Sequence, residues 1–342
     1  MIGIARTYKA LIFGELAAFY GSIPINVKGL EPTPFVDQQT AYGEVQSQLD
    51  QALVLFENIA AVGRDLNFGM SDDPGMMWTK VAHSLKARYY LHMKDYQNAL
   101  THANQGIDDP AGTLFAIFSD NAGEYSAWGM FKNNEGEPLR ATKNYIDLIK
   151  REEGDNRLTE YFVPGQLDTE GEFYGYAIHT STTDSDLELE PDGIALRKKY
   201  ASFAENFPLI SYEENILIRA EAKAQTGDIT GAVADLNIIR NDAGLPNFEG
   251  TDKQAVLEEI LIQKHIELFL EGQTYHDIRR LGYFPVTVDV PETFTWNYPW
   301  DDSKTNLRWI YPESEINTNP ANVPADSDQL VKWLLAPEWG GV

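Results

Sequence analysis

Cysteine is absent from the 342 residues, which removes disulfides, thiolate nucleophiles and cysteine-based zinc sites together. No apolar run approaches the roughly 20 residues needed to cross a bilayer as a helix. Positive charge is scarce: 27 Lys and Arg stand against 52 Asp and Glu, a formal net charge of −25. Such a surface repels phosphate backbones and anionic headgroups, so neither nucleic acid nor a bare membrane surface is an expected partner. The common catalytic signatures are missing as well: no P-loop, G-x-G-x-x-G, H-E-x-x-H or G-x-S-x-G occurs.

What remains of acid–base chemistry reads as structural. His83 and His92 share one expected helix but stand nine residues apart, a poor ligand spacing. Glu267 and Glu271 lie one turn apart near His265 and Arg279, yet nothing places a second carboxylate across a cleft from them, as hydrolysis between two acids requires. They are expected to form ion pairs that pin a break at Gly272. The alternating acids Asp184, Asp186, Glu188 and Glu190 resemble a calcium loop, but Leu189 occupies the sixth position, where a calcium hand needs glycine. The expectation is a non-enzyme with no metal and no cofactor.

With 43% hydrophobic residues, the chain has enough apolar side chains to fold. Its periodicity is helical. Over Tyr42–Val62, Val45, Leu49, Ala52, Phe56 and Ile59 recur on one face, with Gln46, Gln48, Asp50 and Glu57 mostly elsewhere. A helix over Trp78–Met93 follows, then a break at Lys94-Asp95 and a second helix from Tyr96 to about Gly106, with Asp95 as N-cap. A later hairpin is punctuated more clearly. Ser211 and Glu214 form a capping box ahead of Tyr212–Thr226, Gly227 ends that helix, Asp228 caps Ile229–Asn241, and Gly244 and Pro246 stop it. A shift of 133 positions lays one hairpin on the other: Leu85 on Ile218, Ala87 on Ala220, Asp95 on Asp228, Ala99 on Ala232 and Leu100 on Val233. Small residues on such faces let paired helices approach, the logic of tetratricopeptide-like units. A further helix is expected from the Thr251-x-x-Gln254 box to about Glu271, buried through Leu257, Ile260, Leu261, Leu268 and Phe269, with Tyr275–Leu281 beyond Gly272. Ile4–Tyr20 is interrupted by Arg6, Lys9 and Glu15, so it reads as a folded helix and not as a signal peptide.

The fold class is therefore mainly α, a tetratricopeptide-like scaffold in a single domain over 1–342. The scaffold covers 1–107 and 207–284. Loop-rich insertions cover 108–206, punctuated by Gly123, Gly129, Gly136, Gly154, Gly165, Gly171 and Gly175, and 285–342. Long irregular segments on a rigid frame are the expected working surface. Aromatics cluster there: Tyr125, Trp128 and Phe131; Phe173, Tyr174 and Tyr176; Trp296, Tyr298 and Trp300. Sugar rings offer flat C–H faces to such rings, and their hydroxyls need Asn, Asp, Gln or Arg nearby. The alternative is that the rings pack the loops onto the scaffold.

The stretch Tyr212–Phe284 closely resembles the C-terminal region of SusD/RagB-type outer-membrane lipoproteins. The matching residues are Arg219-Ala220-Glu221-Ala222, Gly227-Asp228, Leu236-Asn237-x-x-Arg240, Ala243-Gly244-Leu245-Pro246, Glu267-Leu268, Glu271-Gly272 and Asp277-x-x-Arg280. Two further pieces agree: Arg6-x-Tyr8 leading to Tyr20-Gly21-Ser22-Ile23-Pro24-Ile25, and Arg308-Trp309-Ile310-Tyr311-Pro312-Glu313-Ser314-Glu315-Ile316-Asn317. The resemblance implies a lipid-anchored, surface-exposed subunit that caps a SusC-like TonB-dependent transporter and delivers glycans or, in some members, peptides. That family begins with a lipoprotein signal, a lipidated cysteine and a further helical segment that this sequence does not show. Truncation is therefore the expectation, with outer-membrane localisation implied by the resemblance alone. The family has no motif that fixes ligand residues, so the aromatic candidates rest on the residues themselves. The rival readings are a peptide-binding uptake subunit, a protein-interaction scaffold without a small ligand, and a helical carbohydrate hydrolase.

Overall fold

The computed structural model describes residues 1–27, 29, 31–57, 74–134, 141, 143–163, 177–178, 199–200, 202–281, 309 and 311–324. Helices α1 (Ile2–Tyr20), α2 (Gln38–Phe56), α3 (Pro74–His92) and α4 (Tyr96–Ala103) come first. Strand β1 (Leu114–Ala116) then opens a segment with α5 (Ala127–Asn134), α6 (Lys143–Ile149), α7 (Arg157–Tyr161) and the short strand pair β2 (Phe162–Val163) and β3 (Ala177–Ile178). Strand β4 (Phe207–Ile210) returns antiparallel to β1 and closes it. Helices α8 (Tyr212–Thr226), α9 (Ile229–Asp242), α10 (Lys253–Glu267), α11 (Gln273–Leu281) and α12 (Glu313–Thr318) complete the order.

Successive helices stack: α1 on α2, α2 on α3, α3 on α4, α4 on α8, and α8 on both α9 and α10. The insertion opened by β1 thus leaves the two hairpins α3–α4 and α8–α9 side by side. Their seam is made of Ala87, Leu91, Ala99, Ala103, Ile218 and Ala222, all buried, so small side chains set the close approach. The repeat reaches the backbone of the turns. Lys94 and Gly227 both adopt positive φ, and Asp95 and Asp228 share nearly the same dihedrals (φ/ψ −83/73° and −85/74°). Each aspartate then accepts a bond from the backbone N–H three residues on. Lysine at a left-handed position shows that the motif survives without its glycine.

Several boundaries differ from the sequence reading for identifiable reasons. Helix α2 starts earlier, at Gln38, because Asp37 caps it through the Thr40 N–H (2.8 Å); residues 58–62 of the expected helix lie outside the described residues. Gln46 and Gln48 are buried and not on a solvent face, since α2 is covered by α1 on one side and α3 on the other. Gln46 meets the Lys86 carbonyl (3.3 Å) and Gln48 meets Arg6 and Glu44. Asp252, one residue after the expected Thr251, caps α10. That helix ends at Glu267 and not Glu271, because Leu270 (φ 66°) and Gly272 (φ 79°) turn the chain.

The capping box at α8 is half realised. Ser211 Oγ accepts from the Glu214 N–H (3.1 Å), but the Glu214 carboxylate turns instead to Arg88. Arg88 Nε and Nη2 hold its two oxygens at 2.6 and 2.5 Å, with both side chains almost fully buried. Arg280 pairs likewise with Glu221 (2.6 Å) and Asp277 (2.8 Å), and Lys264 with Asp277 (3.0 Å). Glu15 on α1 completes this polar spine, 3.0 Å from His276 and 3.3 Å from Arg88. Burial disfavours its charge, but the bond from His276 and the His276 and Arg88 charges outweigh that and bring its pKa down to about 2. Tyr89 donates to the Leu11 carbonyl (3.0 Å), and its ring fills the notch at Gly14, where a Cβ would lie 2.1 Å away.

The two end motifs meet in space. The Tyr311 hydroxyl reaches the Ser22 carbonyl (2.7 Å), its ring stacks on Tyr20 (5.5 Å), and the Trp309 N–H donates to the Phe19 carbonyl (2.8 Å).

Candidate functional site

After β1 the chain leaves the scaffold through residues 117–126 and enters α5. Polar side chains tie this loop to itself. Asn121 Nδ2 donates to Glu124 Oε2 (3.1 Å), the Ser119 hydroxyl donates to the same oxygen, and the Ser119 N–H donates to the Glu124 carbonyl (3.0 Å). The bonds from Ser119 and then Asn121 lower the pKa of the exposed Glu124 carboxyl. The far side is fixed by the segment before β4. The Ser126 N–H donates to the Phe203 carbonyl (2.8 Å), and the Phe118 N–H donates to Asn206 Oδ1 (3.1 Å). Gly129 sits so close to Ser202 that a Cβ would lie 2.4 Å from its carbonyl oxygen, so only glycine allows α5 to dock there.

On this frame Tyr125 is half-buried and lies over Phe203, ring centres 4.4 Å apart and planes 30° apart. Trp128 is half-buried in the first turn of α5. Around them Ile117 and Met130 are exposed, as are Asn121, Glu124 and Asn206. The result is an aromatic platform bordered by amide and carboxylate groups. A flat apolar ligand face edged with hydroxyls can use both parts at once.

Of the aromatic candidates from sequence, Tyr125 stacks on Phe203, and Trp128 is half-buried three residues further on, in the first turn of α5. Phe131 falls in α5, with its side-chain surroundings outside the described residues. Phe173, Tyr174, Tyr176, Trp296, Tyr298 and Trp300 also lie outside the described residues, as does the Asp184–Glu190 stretch. Phe203 was not among the candidates. It lies between Tyr200 and Phe207, far in sequence from Tyr125, and the β1–β4 pairing brings the two together. Trp309 was also missed as a surface group: 54% exposed, it packs over Phe19 at 4.4 Å, beside Tyr275 and Tyr20.

The remaining titratable groups have structural roles in their contacts. His92 is buried against the Tyr42 hydroxyl (3.3 Å). His83 finds a partner the linear spacing hid: its Nδ1 lies 2.9 Å from Nδ1 of His102 on α4. Burial and then the Lys86 charge bring both imidazoles down to about 4, so the pair is neutral at physiological pH. Glu267 and Glu271 do form ion pairs, with Arg157 and Lys199 from the insertion. Among the described residues, no three His, Asp or Glu side chains are grouped to hold a metal, and no helix is long and apolar enough to cross a membrane.

Residues 1–312 match the sequence profile of a SusD-like family, described as starch-binding and associating with the outer membrane. The chain belongs to the SusD-like family. Its fold is shared with a SusD-like protein from Bacteroides thetaiotaomicron (18% identity, TM-score 0.69, over 97% of this chain and 79% of that one). It is shared equally with a SusD homologue from Bacteroides uniformis (20%, 0.69, 95% and 77%) and a SusD/RagB family protein from Bacteroides thetaiotaomicron (20%, 0.67, 99% and 80%). At such identities the likeness establishes the fold alone. No curated protein matches this SusD-like chain in sequence. Family and fold agree with the helical, tetratricopeptide-like reading of the sequence.

Proposed function

We propose that this SusD-like protein binds glycans at the cell surface without chemically altering them and hands them to a SusC-like TonB-dependent transporter. The observation that carries the reading is the Tyr125–Phe203 stack, with the half-buried Trp128 three residues on in the same segment, on a chain whose family is described as starch-binding and associated with the outer membrane. The helices act as a rigid support in a single domain, and the insertions 108–206 and 285–342 carry the ligand contacts. Phe131, Tyr174, Tyr176, Trp296, Tyr298 and Trp300 are proposed as further ligand contacts on the strength of the sequence. Attachment to the outer membrane is through an N-terminal lipid anchor.

Calorimetric titration with plant, host and microbial glycans tests the proposal. The wild-type protein should bind at least one glycan and return it with unchanged chain length. Exchanging both rings, Y125A with W128A, should weaken binding at this face at least tenfold, the loss of a hot-spot contact worth about 1.4 kcal/mol or more. Binding of peptides with no response to any glycan would move the ligand to the peptide class. Shortening of the bound glycan would overturn the non-catalytic assignment.

A further inference from the structure

A concave surface that shares no lining residue with the platform lies at the seam between the insertion and the scaffold. It is a cleft of about 610 Å³ formed by the residues after α6, the end of α9 with the loop behind it, and the first turns of α10. Its floor is a network of planar polar groups. Arg240 holds both oxygens of Glu152 (2.9 and 2.5 Å) and one oxygen of Glu259 (2.5 Å), while its Nε donates to the Pro246 carbonyl (3.0 Å). Arg151 adds bonds to Glu152 (2.7 Å) and Glu259 (2.8 Å), both through Nη2.

This network is complete within itself yet leaves groups facing outward. Every bond that Glu259 accepts, from Arg151, Arg240 and Gln263, ends on Oε1. No described donor reaches Oε2 of this carboxylate, although the residue is only 7% exposed. Arg151, which lines the cleft, likewise joins the network through Nη2 alone, so Nε and Nη1 are not used within it. The Arg151–Glu259 pair that lines the cleft thus combines unused acceptor and donor capacity, which neighbouring hydroxyls complement by donating to one and accepting from the other.

One wall is aromatic and held in place. Asn237 clamps the backbone of Phe248 at both ends, accepting from its N–H (2.7 Å) and donating to its carbonyl (3.1 Å). The half-buried ring rests against Gly250, where a Cβ would lie 2.4 Å away. Few side chains need to be ordered when a ligand arrives, because the ion pairs and the clamp have ordered them already. The charge of the lining sets the ligand class: two arginines face four glutamates, Glu152, Glu249, Glu258 and Glu259. Uronate or sulfated sugars are repelled, and neutral sugars are not.

We propose that this cleft is a second oligosaccharide site, specific for neutral glycans and separate from the Tyr125 platform. It rests on the glycan-binding reading above. Titrating the full chain with malto-, cello-, xylo- and mannohexaose, and with oligogalacturonate as acidic control, tests it alongside two sets of variants. F248L keeps the apolar contact with the α8–α10 core but removes the ring face. Y125A with W128A removes the platform. The wild type should bind a neutral hexasaccharide at two sites, and each variant at one. In the platform variant, saturation should shift the NMR signals of the Ile262 methyls and the Asn247 side-chain amide. Oligogalacturonate should bind the cleft at least tenfold more weakly. One site in the wild type, lost with the platform and indifferent to F248L, would overturn the second site and leave the glycan reading intact. No response to any hexasaccharide would overturn both. Binding lost with F248L alone would support the cleft and overturn the role of the platform.

Discussion

The polar spine of the scaffold and the platform on the insertion place charge and aromatic rings in opposite ways. Between α1, α3, α8 and α11, the arginines and carboxylates are inside. Arg88, Glu214, Arg280 and Glu221 are all nearly fully buried and form ion pairs with one another, Arg88 with Glu214 and Arg280 with Glu221. Between Ile117 and Met130 the carboxylate and amide groups are outside, and half-buried tyrosine and tryptophan rings lie among them along the chain. A buried ion pair adds little net stability over an apolar core, but it permits only one partner geometry. An exposed ring adds little to stability either, but it leaves a contact unused by the fold. The scaffold therefore encodes a unique arrangement, and the insertion encodes an available surface.

The largest expected effect comes from breaking the spine. R88M leaves the Glu214 carboxylate buried without its guanidinium and should cost about 3–5 kcal/mol in urea denaturation. R88M with E214L removes both charges and should recover most of that loss. A double variant no more stable than R88M would mean that the arginine's bonds to the Leu209 carbonyl and Glu15, and not the pair itself, dominate.

Acid should act on the scaffold next. His83, His102 and His265 each have a folded pKa of about 4, with burial as the leading cause. The unfolded chain therefore takes up protons below pH 6.5 that the folded one refuses, and stability from neutral imidazole is lost as pH falls from 6.5 to 4. Glu271 runs the other way. Burial pushes its carboxyl up to about 7, so its contribution is full below 4.5 and is lost as pH rises towards 7. With His92, whose pKa burial also lowers, four imidazoles outnumber one carboxyl, so unfolding free energy should fall on acidification by about 1 kcal/mol per pH unit or more between 6.5 and 4.5, after discounting the two half-exposed rings. Replacing His265 by Gln should make that slope shallower. A flat profile in both proteins would show that the histidine and carboxyl contributions cancel.

Legibility in the sequence follows the same division. Capping and periodicity are local, so Asp95, Ser211, Gly227 and Asp228 announce their helices without knowledge of the fold. The relation between Ala87 and Ala220 is also visible, because both hairpins solve the same packing problem. What sequence could not show is pairing across the insertion. Glu214 looks like a capping-box acid until α3 presents Arg88, 126 positions away. His83 looks solitary until α4 folds back with His102. Phe203 and Tyr125 are separated by most of the insertion, and only β1 pairing with β4 makes them neighbours. The cleft at Phe248 is hidden for a similar reason, since its floor combines Glu152 of the insertion with Arg240 and Glu259 of the scaffold.

The smallest expected stability effect is the one that isolates the platform. Y125A with W128A removes two half-buried rings, and the loop keeps its Ser119, Asn121 and Glu124 bonds, its Ser126 anchor and its close contact at Gly129. A loss of about 1–2 kcal/mol is expected from the apolar area withdrawn, well below that of R88M. Thermal unfolding should stay cooperative while glycan affinity at this face falls at least tenfold. The sign of the result separates packing from recognition. A loss comparable to R88M with unchanged affinity would mean that Tyr125 and Trp128 hold the insertion onto the helices, as Tyr145 does against Ile262 and Ile266. A small loss together with a large drop in affinity would mean that the insertion is built from its hydrogen bonds and that its rings remain free to meet a sugar.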